Sequence, residues 1–143
     1  MTETIKGHCL CGAVRLEGDG RPKIEVCHCE MCRHWHGGPA LVADFEGGVR
    51  ITAGEDNIAV YESSEWAERC FCKTCGSTLF YRLKQSRDRF SAQAGLFNLP
   101  PGLSIHEEIF VEEQPDYYAF QSDAPRLTGA EVFARFEASQ QND

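Results

Sequence analysis

The sequence lacks any cluster of lysine and arginine, any apolar run long enough to span a bilayer, and any long helical periodicity before its C-terminal segment. A formal net charge of −8 with no basic run excludes the electrostatic footprint of a nucleic-acid or anionic-membrane binder. The opening MTETIKGHCLCG has no basic-then-apolar leader, so a cytoplasmic protein without a membrane span is expected. Internal repeats, linkers and low-complexity runs are also missing. A chain of 143 residues, 42% hydrophobic, is long enough to bury one ordinary core. One domain over residues 1–143 is expected, ordered over about 5–137, with SQQND fraying at the end.

What the chain does have is cysteine, eight in all, gathered as CLC, CHCEMC and CFCKTC. Spacings of one or two residues suit chelation better than cross-linking, and thiols of a cytosolic protein stay reduced, so metal is favoured over disulfides. Thiolates interspersed with imidazole point to zinc, with iron as the soft-ligand rival.

Short β-rich segments separated by turn signals dominate the rest: AVRLE, KIEV, ALVADF, VRIT, NIAVYE, TLFYRL, RFSAQA and HEEIFV. CEMCRHW reads as a short helical turn and NLPPGL as a loop. A helix is expected over LTGAEVFARFEA, where Thr128 and Glu131 have capping-box spacing and Val132, Phe133 and Phe136 form one apolar packing stripe. The fold class is therefore mostly β with a short C-terminal helix.

In FCKTCGS, Cys72 and Cys75 followed by Gly76 make a knuckle, a sharp turn that converges two sulfurs. A structural zinc takes about four ligands, and Cys9 and Cys11 are a suitable second pair, on one side of the chain if that segment is an extended strand. The alternative for Cys9 and Cys11 is that they are small buried hydrophobes. Cys27, Cys29 and Cys32 then stand as three thiolates around a second ion, with the fourth position open to water or substrate, the pattern of catalytic zinc. Cys70 is a possible fourth ligand that would close that site; it also lies two residues before Cys72, and spacing does not say which ion it faces. His34 and His36 read as surface or orienting groups, and His28 points away from its flanking cysteines if that segment is extended. Glu107, Glu108, Glu112 and Glu113 read as a solvated face.

The ordered set GHCLCGAVRLE, VCHCEMCRHWHG and RCFCKTCGSTLF, followed by AGLFNLPPG, resembles the glutathione-dependent formaldehyde-activating enzyme family, which also contains centromere protein V. The resemblance implies a mostly antiparallel β-tent fold with zinc knuckles and two zinc ions per chain. By that resemblance Cys9, Cys11, Cys72 and Cys75 match the structural site, and Cys27, Cys29 and Cys32 the catalytic one. It implies a carbon–sulfur lyase that forms or cleaves a thiol–aldehyde adduct such as S-hydroxymethylglutathione, with a small thiol such as glutathione and an aldehyde as partners. The alternative is a non-catalytic zinc protein that binds glutathione or another small thiol. The chain departs from the family pattern at Cys70, and at Tyr117 and Tyr118, where many relatives carry a basic residue and a tryptophan. Arg33, Arg69 and Lys73 are candidates to meet glutathione's carboxylates. No nucleic-acid or membrane partner is expected, and the sequence allows a homo-oligomer.

Overall fold

The computed structural model describes residues 3–141. In chain order these form β1 (Thr4–His8), β2 (Arg15–Asp19), β3 (Lys23–Cys27), α1 (Glu30–His36), β4 (Ala40–Asp44), β5 (Val49–Ala53), β6 (Ile58–Glu62), β7 (Ala67–Cys72), β8 (Thr78–Leu83), β9 (Ser91–Gln93), β10 (Ile105–Ile109), β11 (Arg126–Leu127) and α2 (Gly129–Gln141). All eight expected β segments overlap strands, and the protein is mostly β. Among the described residues no helix is long and apolar enough to cross a membrane.

The chain divides into two compact units, one taking in the residues up to Lys23 and Val42–Leu103, the other Ile24–Leu41 and Ser104 onward. In the first, β1, β2 and β5 form an antiparallel sheet, and β4, β9, β8, β7 and β6 pair antiparallel in that order. Along β1 and β2 burial alternates with side-chain direction, Ile5 and Leu16 facing inward, as a half-buried strand requires. Phe45 and Phe97 meet at 4.9 Å between ring centroids, and Leu79 and Phe80 are also buried. Each such side chain contributes about 1.5–3 kcal/mol by leaving water. β7 is buried on both faces because Glu68 is neutralised, accepting from Arg82 Nε at 2.9 Å and Arg87 Nη2 at 3.1 Å.

The second unit departs from the antiparallel expectation: β10 runs parallel to both β3 and β11. Its C-terminal helix starts at the predicted capping box, with the Glu131 amide donating to Thr128 Oγ1 at 3.1 Å and the Thr128 amide to Glu131 Oε1 at 3.0 Å. The helix continues to Gln141, so Ser139, Gln140 and Gln141 of SQQND are helical, and the other two residues lie outside the described ones. The apolar stripe is not the packing face that was expected: Phe133 is 55% and Phe136 45% exposed. What ties α2 down is a two-pronged ion pair, Arg135 to both oxygens of Glu107 at 2.8 and 3.0 Å, and an edge-to-face contact of Phe133 with Phe110.

Those contacts also correct the reading of the acidic run. Glu107 and Glu108 are 8% and 1% exposed, not a solvated face. Consecutive strand residues point to opposite faces, and here each face offers an arginine, Arg135 for Glu107 and Arg126 for Glu108. Glu112 accepts from the Gly129 amide at 3.0 Å and Glu113 from the Glu30 amide at 3.0 Å.

Candidate metal centres

Cys9, Cys11, Cys72 and Cys75 bring four sulfurs within 4.8 Å of one another. CLC is not an extended strand, because β1 ends at His8 and the chain turns, the Gly12 amide donating to the Cys9 carbonyl at 3.1 Å. Gly12, at φ 81°, and Gly76, at φ 78°, take the left-handed conformation that closes each of the two knuckles. The Gly76 amide donates to the Cys72 carbonyl at 2.9 Å, a turn one residue longer than that of Gly12 on Cys9. Ser77 links them: its hydroxyl oxygen accepts from the Leu10 amide at 3.0 Å and lies 3.2 Å from Cys75 Sγ.

A Zn–S bond of about 2.3 Å puts the sulfurs of a tetrahedron about 3.8 Å apart. The observed Cys9–Cys11 and Cys11–Cys72 separations, 3.6 and 3.8 Å, fit that figure. Hydrogen bonds from the Ser77 hydroxyl and amide hold the Cys75 thiol down at about 5, and the Asn57 side chain donates to Cys72 Sγ at 3.3 Å. The residues present therefore fit a four-thiolate ion.

Cys27, Cys29 and Cys32 form a second group within the same 4.8 Å limit, with three sulfurs among the described residues. Cys27 ends β3; Cys29 caps α1, its sulfur accepting from the Cys32 amide at 3.4 Å. Hydrogen bonding with the Cys29 and Cys32 sulfurs, and then burial, push the Cys27 thiol far above its ordinary value. Three thiols crowded together resist sharing negative charge without a cation, which suits a thiophilic divalent ion with one ligand still to come.

Neither sulfur group includes Cys70. It lies in the middle of β7, fully buried, opposite Val60 and Phe80, and burial pushes its thiol up to about 11. A strand bulge between Cys70 and Phe71 breaks the simple same-face relation with Cys72.

Around the three-sulfur group stand residues that spacing did not bring together. His28, between Cys27 and Cys29, is fully buried, with Nε2 2.7 Å from Glu108 Oε1 and Nδ1 2.7 Å from the Tyr118 hydroxyl. The Glu108 carboxylate only accepts, so Nε2 donates to it, and Nδ1 shares the second bond with the Tyr118 hydroxyl. Arg126 donates to the same Glu108 oxygen at 2.7 Å and to Gln114 Oε1 at 2.7 Å. Gln114 Nε2 donates to the Tyr118 carbonyl at 2.8 Å, closing a circuit through Arg126, Glu108, His28, Tyr118 and Gln114.

Of the three expected cations, Arg33 stands beside the group, its Nε donating to the His28 carbonyl at 3.1 Å. Arg69 is buried with its guanidinium 5.2 Å from the Tyr81 ring centroid, so it is no surface cation. Lys73 Nζ donates to the Asp56 carbonyl at 3.1 Å. His34 is exposed and pairs with Glu30 at 3.5 Å.

The family model for the glutathione-dependent formaldehyde-activating enzyme matches residues 4–113. A Schizosaccharomyces pombe protein named as an uncharacterized lyase is 32% identical over 128 residues, 89% of this chain and 93% of that protein. The crystal structure of a Rhodobacter sphaeroides protein superposes with a TM-score of 0.52 at 27% identity, covering 67% of this chain and 91% of the other. The matched span contains every cysteine of both sulfur groups, and the chain belongs to the glutathione-dependent formaldehyde-activating enzyme family.

Proposed function

We propose that this protein is a zinc-dependent carbon–sulfur lyase that forms or cleaves a thiol–aldehyde adduct, with glutathione and formaldehyde as the substrate pair. The observation that carries the reading is the three-sulfur group of Cys27, Cys29 and Cys32, a donor set one ligand short of a tetrahedron among the described residues. In this reading Cys9, Cys11, Cys72 and Cys75 hold a structural zinc and Cys27, Cys29 and Cys32 a catalytic one, and Cys70 serves the core of β7. Zinc bound at the second group supplies a Lewis acid that keeps an incoming thiol deprotonated near neutral pH, where a free thiol with a pKa of about 8.5 is mostly protonated.

The protein's own residues present and orient. Adduct formation joins the thiolate sulfur to the carbonyl carbon, moves the C=O π pair to oxygen and delivers the thiol's proton there; cleavage reverses each change. Arg33, anchored on the His28 carbonyl, brings a positive charge to the group, suited to a carboxylate of glutathione approaching a chain of net charge −8. Backbone bonds fix the loop that carries the sulfurs, the His28 amide donating to the Ile109 carbonyl at 3.1 Å. A preorganised loop lets orientation contribute to the rate.

The test is the glutathione–formaldehyde equilibrium followed by NMR exchange at increasing concentrations of zinc-loaded protein, with zinc per chain measured on the same sample. Exchange rising in proportion to protein supports the reading. Exchange at the spontaneous rate, with glutathione still bound, identifies a thiol-binding protein instead.

A further inference from the structure

Among the described residues Phe110 is the one non-glycine residue with a positive φ, at φ 56° and ψ 44°. A large side chain meets that conformation with strain, so its surroundings have to hold it there. The turn it begins runs through Val111–Glu113 and is closed by the Glu113 amide on the Phe110 carbonyl at 3.1 Å. The two carboxylates of the turn serve different helices. Glu112 accepts the Gly129 amide at the start of α2 with both oxygens at 3.0 Å, and Glu113 accepts the Glu30 amide at the start of α1 at 3.0 Å. One turn therefore caps both helices.

The start of α2 is built to fit this turn. The Phe110 ring meets Phe133 edge-to-face at 5.9 Å, and Gly129 is buried beside it. A Cβ on Gly129 would stand 2.6 Å from a Phe110 ring carbon and 2.9 Å from Glu112 Oε2, closer than such atoms approach. Gly129 is not one of the glycines with a positive φ, so the backbone does not call for glycine there. The space taken by Phe110 and Glu112 does.

At the other end of the relay, α1 has seven residues, too few to sustain a helix alone in water, and it carries Cys29 at its cap and Cys32 inside. The placing of those two sulfurs depends on its first turn staying formed, with the Cys32 amide on Cys29 Sγ at 3.4 Å. Glu30 lies between them, so its bond to Glu113 fixes the chain one residue from one sulfur and two from the other. The free amides of a helix start favour an acceptor that carries negative charge. We infer that Glu113 is a positioning residue for the three-sulfur group: it holds the first turn of α1 in the form that presents Cys29 and Cys32 to one ion, and Phe110 and Gly129 fix Glu113 in turn against α2. The inference rests on the reading of Cys27, Cys29 and Cys32 as a metal site and adds what keeps two of the sulfurs in register.

The test uses the full-length protein loaded with ¹¹³Cd, a thiophilic ion that stands in for zinc and gives a separate resonance for each sulfur group. Titration with EDTA, read on each resonance, reports the affinity of each group. Glu113→Ala is expected to weaken the three-sulfur group by about tenfold, the scale of one charge-assisted hydrogen bond, and to shift its resonance while the four-sulfur resonance stays in place. Glu113→Gln, whose amide oxygen accepts the same bond, should recover most of that affinity. Gly129→Ala lies on α2, away from every cysteine, and raises the intrinsic helix propensity there while driving a methyl group into Phe110 and Glu112. It should shift the three-sulfur resonance in the direction of Glu113→Ala.

Wild-type affinity with an unmoved resonance in Glu113→Ala, an equal loss at both sulfur groups, or a Glu113→Gln variant as weak as Glu113→Ala overturns the role of Glu113. If Glu113→Ala fails to fold, Gly129→Ala decides the matter, and an unmoved three-sulfur resonance there overturns the inference. Wild-type protein that binds ¹¹³Cd at both groups but leaves glutathione–formaldehyde exchange at the spontaneous rate removes the lyase reading and leaves this one standing. Wild-type protein with no resonance for the three-sulfur group overturns both.

Discussion

His28 Nε2 and Glu108 Oε1 stand 2.7 Å apart, with both side chains all but removed from solvent. Parallel pairing of β3 with β10 makes this contact, setting Cys27 opposite Ile109 and carrying His28, the residue after β3, to Glu108. A buried carboxylate is tolerable here because Arg126 and His28 both donate to it.

Glu108→Ala removes that acceptor and strands the His28 ring N–H in a dry site. Arg126 is half exposed and can rehydrate, so the expected loss is the price of one unsatisfied buried donor, about 2 kcal/mol, and not that of a stranded buried charge. Urea unfolding of the zinc-loaded variant checks it: the midpoint should fall with little change in slope. An unchanged midpoint would mean that water enters and satisfies His28.

The two sulfur groups should differ in what their loss does. Cys72→Ser removes a ligand of the set that joins two knuckles sixty-odd residues apart, and is expected to leave the protein unfolded or insoluble, since structural zinc contributes folding energy directly. Cys29→Ser should remain folded with one zinc fewer per chain. Circular dichroism and zinc analysis on both variants decide the matter, and equal loss of solubility would contradict the division of labour.

At α2, the Glu131 carboxyl is held below the ordinary glutamate range, first by the Thr128 amide and then by the Thr128 hydroxyl. A depressed folded-state value means the carboxylate's contribution is fully present above the unfolded pKa, about 4.3, and is lost as pH falls through the lower folded value. Carbon-detected NMR titration should show Glu131 titrating below the other exposed glutamates. Thr128→Ala, which removes the hydroxyl and keeps the amide, should raise it part of the way toward the ordinary range and speed amide exchange in the first turn of α2.

How much of this could be read along the chain follows from the distance over which each feature is specified. Ligand spacing is local, so CxxC with its glycine marked the Cys72 knuckle, and CxCxxC marked the three-sulfur group. Thr128 and Glu131 are likewise local, and their capping box forms as spaced. The extended geometry considered for CLC does not form, because Gly12 turns the chain there and alternation alone does not register a turn. His28 and Glu108 are 80 residues apart and meet only through a parallel pairing, for which no short-range signal exists. Glu107 and Glu108 defeat the usual rule because α2 covers one face of β10 with Arg135 while Arg126 serves the other. Two adjacent charges then look solvated although both are paired and buried. Phe133 and Phe136 fail in the opposite direction, since an apolar stripe states what a helix is able to bury and not how much is covered: Phe133 meets Phe110 along one edge and both phenylalanines of the stripe stay exposed.

Acid should strip the two metal groups in separate steps. Every thiolate ligand competes with a proton, so affinity for zinc falls as pH falls, and it falls first where the free thiol holds its proton most tightly. Cys27, raised by its sulfur neighbours and by burial, puts the three-sulfur group in that position. In the four-sulfur group Cys11 is also raised, to about 11, but Cys9 is lowered and Cys75 is held down at about 5 by Ser77, and that group has one thiolate more. Stepwise acidification of the zinc-loaded protein in the presence of a metallochromic dye should therefore release zinc from Cys27, Cys29 and Cys32 first, with the secondary structure intact. Release from Cys9, Cys11, Cys72 and Cys75 should follow at lower pH, together with loss of the circular dichroism signal. Cys32→Ser should abolish the first step and leave the second in place, whereas Ser77→Ala should move only the second, toward higher pH. One concerted release, or a Cys32→Ser profile that loses the later step, would contradict this order.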